Sequence, residues 1–183
     1  MGLLEQQNIL ARLYTDGPFR ESFFADPSRV GREGRLSVRE ISETHEIRDE
    51  VAIFADALLW KRLREVEKLL PLTKAAAEND FQPKFRKFAS TYNPKSTRTH
   101  LDDAVAFCGT FRKDPTAGDV LRDAAAYEAA KMRFFAFERR LTYCFIKYDF
   151  RAFPWHPENL PVRTRRRIAI WLRWRGRPRH FIL

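Results

Sequence analysis

Cysteine occurs twice in 183 residues, histidine four times and glycine seven times, and each scarcity removes a class of chemistry. Cys108 and Cys144 have no near neighbour at the spacing that zinc or redox motifs require, so both read as reduced, mostly buried thiols. The histidines, His45, His100, His156 and His180, are scattered, and none stands three or four residues from another His or Cys to make a metal pair on a helix. The glycines form neither a phosphate-cradling loop nor a dinucleotide fingerprint, and no serine lies in a nucleophile elbow. No apolar run approaches the roughly 20 residues that a membrane span needs. The opening, Met1-Gly-Leu-Leu-Glu-Gln-Gln, lacks a basic stretch followed by an apolar core, which gives the expectation of a cytoplasmic protein without a membrane partner. An enzymatic reading rests only on His100 with Asp102 or Asp103, since carboxylates can orient an imidazole. Acidic residues in a first helical turn also complement the helix dipole, so the motifs favour a non-enzyme.

Charge is abundant and unevenly placed. The net charge is +10, from 34 Lys+Arg against 24 Asp+Glu. Residues 139–183 hold 12 of the basic and 2 of the acidic residues. The rest of the chain is therefore neutral, and the whole excess is C-terminal. Helical periodicity also ends there, giving way to alternating β-branched and aromatic residues. These shifts predict an α+β fold: a mainly helical N-terminal body over 1–138, followed by a basic β module over 139–183 with a small antiparallel sheet of about three strands. With 44% hydrophobic and 14% aromatic residues, the chain can bury a real core.

In the body, Asp16-Gly17-Pro18 separates a helix over roughly 3–15 from a second that carries Phe19, Phe23 and Phe24 and ends at Asp26-Pro27. Residues 28–34 read as a polar loop. Ser37-Val-Arg-Glu40 reads as a capping box with Leu36 and Ile41 as its hydrophobic staple, opening a mostly helical stretch to about Leu70. Short segments follow at Pro71 and Pro83, then helices over roughly 100–113 and 117–137. Leu58, Leu59, Leu63, Phe85, Phe88 and Phe107 fall on apolar helix faces and are the expected core.

In the module, Leu141–Tyr148 is apolar at both parities, as a strand covered on both sides would be. In 165–175 the even positions (Arg166, Ile168, Ile170, Leu172, Trp174) make one mainly apolar face. The odd positions (Arg165, Arg167, Ala169, Trp171, Arg173, Arg175) make a basic face with a single tryptophan. Arg175-Gly-Arg-Pro178 can turn the chain into a short last strand. So small a sheet leaves an edge available to an extended peptide. The candidate peptide-binding residues are Tyr143, Phe145, Lys147, Arg165, Arg167, Ala169, Trp171 and Arg173, with the arginines selecting acidic side chains. Arginine interleaved with Tyr143, Trp155, Trp171 and Trp174 also suits base stacking, so a nucleic-acid binder is the alternative. Arginines that merely keep an edge strand soluble are the plainer structural reading.

Leu69-Leu-Pro71, Phe81, Phe85, Phe88-Ala89, Tyr92-Asn-Pro94, Asp103-Ala104, Phe107 and Leu121-Arg-Asp-Ala-Ala-Ala-Tyr-Glu-Ala-Ala130 resemble the small partner subunits of the multinuclear non-haem iron-dependent oxidases. Those enzymes modify ribosomally made peptides, as in the methanobactin system. The resemblance covers about residues 58–130. It implies a helical body that docks on the iron enzyme and a β module that holds the leader of a precursor peptide, which the arginines of the module lead us to expect to be acidic. It also implies a heterodimer in which the iron belongs to the other subunit, with no cofactor in this chain.

Overall fold

The computed structural model of the chain describes residues 3–94, 96–150 and 163–183. It contains no described helix long and apolar enough to cross a membrane. The chain divides into two compact units, one of residues 1–63 with 86–93 and one of residues 64–85 with 94–183.

The first unit starts with Leu3–Thr15 (α1), Gly17–Ala25 (α2), Pro27–Glu33 (α3) and Val38–Glu46 (α4), followed by most of Arg48–Leu69 (α5). Asp16 and Asp26 each turn a carboxylate oxygen onto a free amide of the next helix, from Phe19 and Arg29 respectively, both at 3.0 Å. The expected loop at 28–34 is instead α3. The Asp26-Pro27 pair that ends α2 also starts a helix, with aspartate as cap and proline at the first position, and Arg29 pairs with Glu33 one turn on at 2.9 Å. Gly31 permits the packing, because a Cβ there would lie 2.5 Å from Ile41 Cγ1. The Ser37–Glu40 capping box forms as the sequence predicts. The core joins Ile9, Leu13, Phe23, Val30, Leu36, Ile41 and Val51. Of the residues expected inside, Leu63 is fully buried, but Leu58, Leu59 and Phe88 are only half-buried. Phe88 stacks on Tyr92 at 4.7 Å instead.

The second unit contains Pro71–Ala77 (α6), the start of Phe81–Ala89 (α7), Thr99–Lys113 (α8) and Asp119–Ala136 (α9). Three strands follow: Leu141–Tyr148 (β1), Arg163–Trp174 (β2) and Arg177–Ile182 (β3). Phe107 of α8 is a hub, edge-on to Phe81 at 5.3 Å, Phe85 at 5.2 Å and Phe111 at 4.9 Å. Helix α6 has no side-chain cap of its own. Its start is held instead by Glu128 of α9, which accepts from the Leu72 amide at 2.8 Å, the Thr73 amide at 2.9 Å and the Thr73 hydroxyl at 2.7 Å.

The sheet is antiparallel in the order β1-β2-β3, as the α+β reading expects. Arg175 and Gly176 both have positive φ, 49° and 77°, which the two-residue turn between β2 and β3 requires. Pro178 stands on the edge strand, where a missing N–H breaks no bond within the sheet. The described strands pack on the helices of their own unit. Ile146, Ala169 and Trp171 share one core with Leu72, Ala124, Ala130 and Phe134, so the sheet buries its inner face on α6 and α9.

Candidate functional site

Which face of the sheet is covered follows from burial and register. Ala169 (0% exposed) and Trp171 (2%) lie in the core, so the odd positions of β2, expected to form an open basic face, form the inner one. Trp171 stacks on His180 at 4.7 Å and meets Tyr127 edge-on at 5.0 Å. Arg167 pairs with Asp149 at 3.4 Å. Arg173 lays its guanidinium over the Phe134 ring at 5.1 Å, with its Nε buried and, among the described residues, without a hydrogen-bond partner. The side chain of Arg165 and all of Trp155 lie outside the described residues.

The even positions of β2 face outward together with the odd positions of β1, because Leu141, Tyr143 and Phe145 stand opposite Leu172, Ile170 and Ile168. Phe181 extends this face from β3. Tyr143 is 60% exposed and Trp174 62%, and Arg166 sits over the Phe145 ring at 5.1 Å. The predicted site residues thus divide between two surfaces. Tyr143 and Phe145 are on the outer face and beside the edge, whereas Arg167, Ala169, Trp171 and Arg173 are on the inner face.

Among the described residues, the edge of β1 away from β2 is open in a defined place. The Arg173 amide donates to the Arg140 carbonyl, so by the alternation of an antiparallel ladder the even positions of β1 bond to β2. Backbone N–H and C=O groups of Leu141, Tyr143 and Phe145 therefore point away from the sheet. A bulge follows Ile146, and there the Lys147 amide donates to an Asp123 carboxylate oxygen of α9, which closes the edge at that end. The Lys147 ammonium pairs with Asp119 at 3.2 Å.

Alongside Tyr143, Cys144 and Phe145 runs a groove of about 530 Å³, floored by α9 and walled by α8. Its cations are Arg112 of α8 and Arg122 and Arg133 of α9. Arg122 pairs weakly with Asp119 at 3.3 Å. Among the described residues Arg112 and Arg133 have no carboxylate partner. Burial, together with the neighbouring charges of Arg139 and Arg112, holds Arg133 below the usual guanidinium range. Among the described residues the groove has one carboxylate, Asp123, and a half-buried cation among other cations there suits an anion. The thiols in the walls are poor nucleophiles. Burial raises Cys108, and burial followed by the Asp123 charge pushes Cys144 up to about 12.

Sequence reasoning did not single out the three groove arginines. The signal is there in α9: Arg122, Ala126, Ala129 and Arg133 recur at four- and three-residue spacing, a shallow stripe with a cation at each end. The remaining catalytic candidate divides into separate roles. Asp102 accepts from the Ser96 amide at 3.1 Å, Asp103 is buried and His100 is exposed. Among the described residues, no group of three or more His, Cys, Asp or Glu residues could hold a metal ion.

A family model described as the SCO6045-like C-terminal domain matches residues 48–113. That stretch runs from the start of α5 to the end of α8, and it includes Arg112 but neither α9 nor the sheet. No curated protein and no solved structure matches the chain.

Proposed function

We propose that this chain is a non-catalytic recognition subunit that binds an acidic precursor peptide as an added strand on β1 and presents it to an iron-dependent modifying enzyme. The observation that carries the reading is the coincidence of two vacancies. Among the described residues, the backbone groups of Tyr143 and Phe145 that point away from β2 have no partner, and they border a groove that holds three arginines and one carboxylate. Backbone pairing supplies affinity in such an arrangement, and the side-chain environment selects the sequence. The likeness of residues 58–130 to the oxidase partner subunits supports the enzyme half of the reading, with the iron held by the other subunit. Arg112, Arg122 and Arg133 take the selective role, and Tyr143 and Phe145 present the edge that receives the peptide, an edge that ends at Lys147.

One observation favours a second reading. The outer sheet face exposes Tyr143, Phe145, Trp174 and Phe181 close to Arg166, Arg177 and Arg179, a combination that can stack single-stranded nucleic acid. Titration of a synthetic acidic peptide, and of random single-stranded RNA, over a salt series separates the two. The peptide reading expects saturable binding with a shallow salt dependence. Nucleic acid gives nearly one unit of log–log slope for each phosphate contacted. Steep RNA binding with no peptide binding at low salt replaces the first reading by the second.

A further inference from the structure

We infer that the peptide segment recognised at the β1 edge alternates apolar and acidic residues, the apolar ones in register with Tyr143 and Phe145 and the acidic ones between them. The inference rests on the peptide-addition reading and specifies its substrate.

The two sides of an added strand would meet opposite chemistries. Successive side chains of a strand point to opposite faces. Peptide residues that exchange backbone bonds with Tyr143 and Phe145 direct their side chains to the outer face. There they extend the row of Leu141, Tyr143 and Phe145, whose aromatic rings already touch edge-on at 6.1 Å. Residues between them direct their side chains onto α9, where Arg122 and Arg133 flank two alanines that leave the floor low. A carboxylate there relieves the repulsion among Arg133, Arg112 and Arg139, whereas an ammonium adds to it. An apolar side chain on that side would leave Arg133 half-buried and unpaired, at a desolvation cost with no return. A second copy of the chain is a poor occupant, because its own arginines would meet these.

The test uses the full chain and the blocked peptides Val-Glu-Val-Glu-Val-Glu-Val, its isomer Val-Val-Val-Val-Glu-Glu-Glu, and Val-Lys-Val-Lys-Val-Lys-Val. Affinity is measured by titration, and hydrogen exchange is followed at the Tyr143 and Phe145 amides. The alternating acidic peptide should bind at least about tenfold more tightly than either of the others and should protect both amides. Arg133→Gln, and separately Arg122→Gln, should remove most of that preference. Equal binding of the alternating and block isomers, with both amides protected, overturns the alternation and leaves peptide addition standing. If no peptide protects either amide, the inference and the reading beneath it both fail.

Discussion

Glu128 and Arg133 lie five residues apart on α9, and each is an ionisable group held away from water, with opposite consequences. Glu128 spends its carboxylate on the start of α6. Burial pushes its pKa up to about 7, although those hydrogen bonds pull the other way. Between the ordinary value of 4.5 and that raised one, the folded state binds more protons than the unfolded. Stability therefore falls as pH rises through this window, by on the order of 3 kcal/mol at full extent. Denaturation midpoints of the wild type should decline from pH 5 to 7.5, while those of Glu128→Gln should lose that decline and rise slightly, because burial lowers the His180 pKa from 6.5. The variant should also be less stable at pH 5, by roughly 1–3 kcal/mol, because its amide cannot accept every bond. A wild-type profile that rises with pH would contradict the buried-carboxyl account. Arg133 has no such compensation among the described residues, so Arg133→Met should raise the denaturation midpoint while weakening binding of an acidic peptide. A loss of both stability and binding would mean that Arg133 is a structural cation.

At the scale of elements, the aromatic hub and the inner sheet face hold the second unit together. Phe107→Ala and Phe85→Ala should each cost about 3–5 kcal/mol and Trp171→Ala a similar amount, whereas Phe88→Ala, half-buried against Tyr92, should cost clearly less. Equal losses for Phe85→Ala and Phe88→Ala in urea denaturation would contradict the burial difference. The helices were largely legible because their ends carry local chemistry, such as Asp16-Gly-Pro, Asp26-Pro and the Ser37–Glu40 box. Helix α3 was missed because proline, glycine and arginine read as a loop until the cap and the Arg29–Glu33 pair are seen together. Alternation in β2 was legible too, but not which parity faces inward. Both faces offer apolar residues, and the choice is made by α9, whose Ala124, Ala130 and Phe134 take in Ala169 and Trp171. The cationic site escaped notice for a related reason. A strand contributes its edge and two helices contribute the charge, and only the fold brings Arg112, Arg122 and Arg133 beside Tyr143.

For the molecule as a whole, the central claim is that an extended chain completes the sheet at β1. Odd positions of β1 point their amides away from β2, so a proline there removes a donor to the ligand without removing a bond of the existing ladder. Even positions are the internal control, since Cys144→Pro deletes a bond to β2 and should destabilise the fold. The most direct measurement is the affinity of Phe145→Pro, compared with wild type, for an acidic peptide at low salt, together with the denaturation midpoint of each. The account predicts a midpoint near that of the wild type and peptide binding weakened by at least about tenfold, the loss of one backbone hydrogen bond plus the misfit of a neighbouring strand. Undiminished peptide binding by a folded Phe145→Pro chain would contradict it.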